Sequence, residues 1–309
     1  MNIIVNANNK LRKVYGNILK TDLPIVNNIN YDNHNAIILK NSMINDKILY
    51  GIFVHNTNRG RAQGGLRIKQ YPSFDDMISD GLRLSKGMTY KNSLANLWWG
   101  GGKAIINYPD YDTYLSNKKE ILHEFAELLN ELDGYYITAT DMGATTKDMD
   151  IIYEKSRFVT TISKEKGGSD NPSESTARGI YEGLKSLAKY LNKDLTDLKI
   201  SIQGFGSVGY NLYKLLKLSN VNGINIYDIC ENNIEKINSK DFFYTETIDS
   251  DSFVMDNVDI LCPCATGNIF TTKNIDKIKA RYIIGGANNQ LENDELAYGL
   301  NLRNILCIP

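Results

Sequence analysis

The most constraining stretch of the chain is Ile200-Ser201-Ile202-Gln203, then Gly204-Phe205-Gly206-Ser207-Val208-Gly209, then a stretch carrying Leu212, Leu215 and Leu216 on one face. A short apolar strand, a G-x-G-x-x-G turn and an amphipathic helix in that order define the first βα unit of a parallel sheet that binds a dinucleotide. Gly204 permits the tight turn. Gly206 lets a pyrophosphate approach the backbone at the helix N-terminus. Gly209 lets the helix pack closely on the strand. The next strand ends at Tyr227-Asp228, 19 residues after Gly209. A carboxylate there can accept hydrogen bonds from an adenosine ribose and would repel a 2′-phosphate. Ile229-Cys230-Glu231 follow, with no Arg or Lys at once. NAD is therefore expected over NADP, held by Gly204, Phe205, Gly206, Ser207, Val208, Gly209 and Asp228.

The rest of the C-terminal half agrees with this reading. Strands are predicted at 199–203, 223–228, 258–261, 281–285 and 304–308, with helical stretches between them. That alternation gives a parallel sheet covered on both faces. A helix precedes it, with Ala177, Ile180, Tyr181, Leu184, Leu187, Ala188 and Leu191 at helical spacing. The apolar pattern stops around Gly167–Pro172, so a boundary is expected there: residues 1–170 as one α/β domain, 171–309 as the Rossmann-type domain. A length of 309 residues exceeds what one core usually holds. In the first half, 34–39 and 48–54 read as two strands around a turn at Asn45-Asp46. One helix starts near Ser73, with Asp76 as a capping-box signal and Met77, Ile78, Leu82, Ser85 and Met88 on its face. Another covers about 118–132, with Ile121, Leu122, Phe125, Leu128, Leu129 and Leu132 inward.

Composition excludes several classes. A net charge of −1 leaves no basic excess for phosphates, so nucleic acid is not an expected partner. No stretch approaches the length of a membrane span, and the first residues do not read as a signal peptide. Four cysteines in 309 residues are not a disulfide framework. These features fit a reducing cytoplasm. Cys262 and Cys264 read as small buried residues rather than metal ligands, since no other Cys or His clusters near them. His34, His55 and His123 have no partner spacing and receive no role. Trp98 and Trp99 read as core or cleft wall.

The first half also holds Gly87-Met88-Thr89-Tyr90-Lys91 and Gly100-Gly101-Gly102-Lys103. Three glycines make a poor helix or strand interior and allow a ligand close to the backbone. A lysine there, desolvated or near a second ammonium, has a lowered pKa and can act as a base near neutral pH. On residue types alone, two solvated surface lysines are the commoner outcome.

These two segments, with Gln63-Gly64-Gly65-Leu66-Arg67 before them, resemble the substrate-domain signature of leucine and phenylalanine dehydrogenases, in the glutamate/leucine/phenylalanine/valine dehydrogenase family. The resemblance continues through Thr138-Ala139-Thr140-Asp141-Met142-Gly143, Asp148-Met149-Asp150-Ile151-Ile152 and Pro172-Ser173-Glu174-Ser175-Thr176-Ala177. It ends with Pro263-Cys264-Ala265 and Gly286-Ala287-Asn288-Asn289-Gln290-Leu291. It spans about residues 34–309, with the motifs in the family's order.

The resemblance implies NAD-dependent, reversible oxidative deamination of an L-amino acid to its 2-oxo acid and ammonia. Lys91 would hold the substrate carboxylate, Lys103 would activate water, and Asp141 would carry protons to and from the amine. Gly64 and Gly65 would line the substrate pocket. Thr176, Ala265 and Asn288 would lie near the nicotinamide, Asn288 near the substrate as well. The reaction needs a pinned carboxylate, a base and a dry cleft between domains. Self-association through the N-terminal domain is implied too.

Three positions depart from the family pattern. Gln63 stands where leucine dehydrogenases carry an apolar residue and glutamate dehydrogenases a lysine; it is expected to face the substrate side chain. Thr140 stands where leucine-type relatives carry Glu. The resemblance would also continue past Pro309 into an Asn-Ala-Gly-Gly segment and helices returning to the substrate domain. A 309-residue chain is therefore either a fragment or a shortened homologue, expected to bind NAD and turn over slowly. A second reading is a catalytically reduced NAD-binding homologue with a scaffold or regulatory role. A hydroxy-acid dehydrogenase would want a catalytic His with an acidic partner, and none is recognisable.

Overall fold

A computed structural model describes residues 2–5, 24–237, 240–245, 251–265 and 267–308. It divides into two compact units, 1–171 and 172–309.

In the first unit, β1 (Asn2–Val5), β2 (Ala36–Asn41), β3 (Leu49–Asn56), β4 (Ala62–Lys69), β5 (Gly100–Asn107) and β6 (Tyr136–Thr140) form one sheet in the order β1-β2-β3-β5-β4-β6. Pairing is antiparallel from β1 to β5 and parallel among β5, β4 and β6. The expected hairpin is present as β2–β3. Side chains alternate between faces as the pleat requires. Ile38, Ile52, Ala104 and Ile106 join the core under α3 (Lys118–Glu131), against Leu122, Phe125 and Leu129. Ile37, Leu39, Phe53 and Ile105 face α1 (Phe74–Leu94), against Met77, Ile78 and Leu82. Each of the Ile, Leu, Phe and Met side chains among these contributes roughly 1.5–3 kcal/mol. Ser73 caps α1 by accepting from the Asp76 N–H at 3.1 Å. The Asp76 carboxylate takes the Ser73 hydroxyl at 2.7 Å, so only half of the expected box forms. The reciprocal box is instead at Thr145 and Asp148, opening α4 (Thr146–Tyr153); α2 (Tyr111–Ser116) is a short connector.

The triple glycine corrects an expectation. Gly100, Gly101 and Gly102, expected to suit a strand poorly, are the first residues of β5, which is paired on both sides. Glycine is required because neighbours press on the strand. A Cβ on Gly101 would stand 2.2 Å from the backbone N of Thr89 in α1, and one on Gly100 would stand 2.2 Å from the Asn56 carbonyl oxygen. The ladders on both edges offset the poor strand propensity of glycine.

The second unit holds α5 (Ser173–Tyr190), β7 (Ile200–Gln203), α6 (Ser207–Leu218), β8 (Asn225–Asp228), β9 (Phe242–Thr245), β10 (Ile260–Pro263), β11 (Tyr282–Ile284), α7 (Glu295–Leu302) and β12 (Leu306–Ile308). The sheet order is β12-β11-β10-β7-β8-β9, all parallel. This is the doubly wound order, with the topological switch between β7 and β10. Ile202, Ile226 and Cys262 pack beneath α5 and α6. Tyr227, Leu261 and Ile283 pack with Leu296 and Leu300 of α7 on the other face. β9 is an addition: four residues at a sheet edge, three of them exposed, give little periodic signal. Among the described residues no helix is long and apolar enough to cross a membrane.

Candidate active site

Three adjacent strands bring the reactive groups of the first unit together. Arg67 on β4 pairs with Ile105 on β5, and Lys103 lies two residues earlier on the same face, the one α1 covers. Asp141 follows the last residue of β6, where Leu66 pairs with Thr140. Lys103 Nζ stands 2.9 Å from Asp141 Oδ2. Arg67 Nε donates to that same oxygen at 2.9 Å, and Arg67 Nη1 donates to Asp80 of α1 at 2.7 Å. Tyr71 donates its hydroxyl to Asp80 at 2.6 Å, and Arg83 donates at 3.2 Å.

Lys103 is only 2% exposed. Burial disfavours its ammonium and lowers its pKa below the usual lysine range, although Asp141 opposes this. Burial likewise pushes Asp141 upward, but Lys103 and Arg67 outweigh it and hold the carboxyl below its ordinary range. The arrangement is a buried lysine whose charged form is disfavoured by desolvation, beside a carboxylate that two cations hold as an anion.

Of the other expected substrate residues, Gln63, Gly64 and Gly65 lie on β4, between β5, which carries Lys103, and β6, which Asp141 follows. A Cβ on Gly65 would stand 2.7 Å from Asp141 Cβ, and one on Gly64 would stand 1.8 Å from the Gly102 carbonyl oxygen. Both glycines are needed for strand packing. Gln63 is half-buried on β4, between Gly101 and Ile137. Lys91 is exposed in the last turn of α1, where the helix dipole favours a cation. Thr140 ends β6, and its N–H donates to Thr161 Oγ1 at 2.9 Å. Trp98 is not a core residue: it is 80% exposed, with the Arg59 guanidinium 5.3 Å from its ring.

Sequence reasoning missed Arg67, Asp80, Tyr71 and Arg83. The available signal was an arginine within the apolar run Leu66-Arg67-Ile68, a cation that needs a partner once the strand is buried. It also left His34 and His55 without a role. Both are buried beneath α1. His34 Nδ1 accepts from the Asp32 N–H, so its Nε2 donates to the Leu82 carbonyl at 3.0 Å. Burial lowers the His34 pKa to about 4 and keeps the ring neutral. His55 reaches Thr89 Oγ1 at 2.8 Å and so steadies the turn of α1 that rests on Gly101.

In the second unit the G-x-G-x-x-G turn is built as its residues require. Gly204 has φ +85°, and a Cβ there would stand 2.6 Å from that of Ala265. A Cβ on Gly209 would stand 1.9 Å from the Gly204 carbonyl oxygen. Beside Gly206 there is open space, and Gly206 starts α6 with no side chain capping it. Ser207, Val208 and Gly209 form the first turn. The Phe205 side chain is buried against Tyr210 and Tyr213, so only its backbone could meet a ligand. The Phe205 N–H donates to Asp228 Oδ2 at 2.5 Å, and the Cys230 N–H to Oδ1 at 2.8 Å. Asp228 thus closes the loop while retaining lone pairs for further donors. Ala265 follows β10 and Asn288 follows β11, at the carboxyl ends of the strands. A Cβ on Gly286 would lie 3.3 Å from Thr176 Cγ2 and 3.4 Å from Val208 Cγ1. Open backbone at a helix start, beside a carboxylate at the end of the second strand, fits a dinucleotide.

Comparison with known proteins agrees with both halves. The family description "Glu/Leu/Phe/Val dehydrogenase, dimerisation domain" matches residues 41–158, and "Glutamate/Leucine/Phenylalanine/Valine dehydrogenase" matches 167–309. Leucine dehydrogenase of Bacillus subtilis is 39% identical over 243 residues, 78% of this chain and 65% of that enzyme. Phenylalanine dehydrogenase of Caldalkalibacillus thermarum is 35% identical over 266 residues, covering 84% of this chain and 70% of that one. Among solved structures, L-tryptophan dehydrogenase from Nostoc punctiforme superposes with a TM-score of 0.65 at 29% identity, covering 89% of this chain and 77% of the other. The chain spans about two thirds of the length of the curated relatives it matches. With both domain descriptions matched in order, the chain belongs to the glutamate/leucine/phenylalanine/valine dehydrogenase family.

Proposed function

We propose that this protein catalyses the reversible oxidative deamination of an L-amino acid to its 2-oxo acid and ammonia, with NAD as oxidant. One observation carries the reading: a fully buried lysine, Lys103, 2.9 Å from a carboxylate, Asp141, that two cations hold as an anion. When bound, the nicotinamide supplies the acceptor for the hydride leaving Cα. Lys91 grips the substrate carboxylate by a charge-assisted contact. Lys103, as the free amine, takes a proton from the water that attacks the imine carbon. Asp141 takes a proton from the substrate ammonium before the hydride leaves and returns it to the nitrogen as ammonia departs. Ammonia and the 2-oxo acid are released.

The Gly204–Gly209 turn would take the pyrophosphate, and Asp228 the ribose; Thr176, Ala265 and Asn288 would lie near the nicotinamide half. Residues 1–170 would serve as the substrate and oligomerisation domain, 171–309 as the cofactor domain. A cytoplasmic homo-oligomer is the setting that fits; the matching description of the first domain is a dimerisation domain.

A panel of L-amino acids, each with NAD and with NADP, tests the proposal through the absorbance of the reduced cofactor. Reduction by at least one amino acid is expected, with NAD bound more tightly than NADP because Asp228 repels a 2′-phosphate. No reduction with any amino acid sinks the activity; equal or tighter NADP binding sinks the cofactor assignment.

Gln63 is proposed to meet the substrate side chain. A buried amide without a partner costs free energy, so substrates with a polar or medium-length side chain should be favoured over pure aliphatics. Gln63→Leu should shift the kcat/KM ratio toward leucine and valine by roughly ten-fold, within the 1–3 kcal/mol such pockets discriminate. An unchanged ratio would remove Gln63 from the pocket.

A further inference from the structure

Arg67 has no part in the chemistry just described, yet it is only 8% exposed and ends between two carboxylates. A guanidinium stays charged under any condition in which a protein is folded, and burying it requires partners. Asp80 is the anchor on one side, itself held by Tyr71 at 2.6 Å and Arg83 at 3.2 Å. On the other side Arg67 Nε and Lys103 Nζ reach the same oxygen, Asp141 Oδ2, each at 2.9 Å. The two nitrogens therefore lie within roughly 6 Å of each other, where like charges in a dry interior repel strongly.

We propose that Arg67 is a positioning residue that sets the charge of Lys103: as a permanent cation on Asp141 Oδ2 it takes up part of the negative charge that would otherwise keep the Lys103 ammonium protonated. The proposal rests on Lys103 being the base. It makes Asp141 serve two opposed demands. The carboxylate must be close enough to orient Lys103, yet a carboxylate given wholly to Lys103 would hold its proton too well to let it act. Sharing one oxygen resolves the conflict. The groups that face Lys103 are Asp141 after β6, Arg67 on β4, and from α1 Asp80 with Arg83 behind it. The hydroxyls of Tyr71 and Tyr136 stay neutral because burial pushes both upward. Of these, Asp141 and the anchored Asp80 favour the ammonium, and Arg67 disfavours it.

The test is the titration of Lys103 itself in the full chain. NMR of protein carrying carbon-13 at lysine Cε gives the midpoint, with the signal assigned by its loss in Lys103→Met. In Arg67→Gln the midpoint should rise by on the order of one pH unit. The acid limb of kcat/KM should move up with it. Arg67→Lys keeps the charge and should keep the midpoint near that of the parent. A folded Arg67→Gln with an unchanged or lower midpoint overturns the proposal, as does Arg67→Lys rising as far as Arg67→Gln. Should Arg67→Gln fail to fold with Asp80 left buried, Arg67→Gln/Asp80→Asn removes both charges. A rise is still required there, because Arg67 shares the Asp141 oxygen with Lys103 whereas Asp80 reaches that oxygen only through Arg67. A raised midpoint in a protein that oxidises no amino acid would uphold the proposal and sink the proposed function; an active enzyme with an unmoved midpoint would do the reverse.

Discussion

Replacing Lys103 with alanine is expected to abolish measurable turnover, a fall of about 10³-fold or more, while NAD binding stays close to the parent's. The amine that would take the proton from water is gone, and Asp141 keeps Arg67 as partner, so its charge remains compensated. The glycine-rich turn belongs to the other unit, 172–309, and keeps its own contacts. In the parent, kcat/KM should rise with pH as Lys103 gives up its proton, along a limb below the pH at which an exposed lysine titrates, because burial favours the neutral amine. That limb should be missing from whatever residual rate the variant retains. Lys91→Ala should act differently. It removes a contact of roughly 1.5–3 kcal/mol from bound substrate and should appear mainly in KM. Steady-state kinetics with cofactor titration by fluorescence separates the outcomes. A Lys103→Ala enzyme with near-normal kcat would remove Lys103 from the role of base.

The second large effect concerns a methyl group added to one of two glycines. Gly101→Ala should destabilise the protein by about 3 kcal/mol. Its Cβ would stand 2.0 Å from Thr89 Oγ1 and 2.2 Å from Thr89 N, and helix backbone cannot swing aside as a side chain can. α1 would have to lift from β5, taking Asp80 and its hold on Arg67 with it. Gly206→Ala adds the same methyl where nothing lies within 4 Å, at φ −70°, which alanine adopts freely. Its stability should match the parent's, but NAD should bind roughly ten-fold more weakly, about 1.4 kcal/mol, because the space is where a pyrophosphate would lie. Denaturant unfolding and cofactor titration measure both. Parent-like stability of Gly101→Ala would mean that α1 yields easily. Parent-like affinity of Gly206→Ala would remove that glycine from the cofactor path.

How much of this was readable in advance varies by element. The second sheet was legible because its signals are local. Each buried parallel strand is a short apolar run, and the turn from Gly204 to Gly209 is dictated by contacts between near neighbours, such as Gly209 against the Gly204 carbonyl. The parallel strands of the first sheet were not legible as strands. Gln63-Gly64-Gly65 and Gly100-Gly101-Gly102 have the composition of loops, and only neighbouring strands and α1, distant in sequence, make them extended. The site was half legible. Lys103 and Asp141 stood out through their motifs. The holders of Asp141 did not, since Arg67 finds Asp141 across 74 positions and Asp80 across 13, and no periodicity encodes such pairs. The buried histidines were invisible for the same reason: His34 contacts Ser85, 51 positions away.

α1 is one unbroken helix of 21 residues, and its registration against the sheet has a consequence for substrate scope. Asp80 and Lys91 are eleven residues apart on it, about 16 Å along the axis. Its position on the sheet is pinned where Thr89 meets Gly101 of β5 and where Gly81 meets Phe53 of β3. On the proposed assignment the helix works as a caliper. One jaw is the grip for the carboxylate at Lys91; the other is set by Asp80 through Arg67 to the proton carriers. On that assignment the amine and carboxylate that every α-amino acid carries are met by groups registered by this one helix. Gln63 lies on β4 rather than on that helix, four residues before Arg67. If Gln63 meets the substrate side chain as proposed, exchanging it would change substrate preference without moving α1 or the groups it holds.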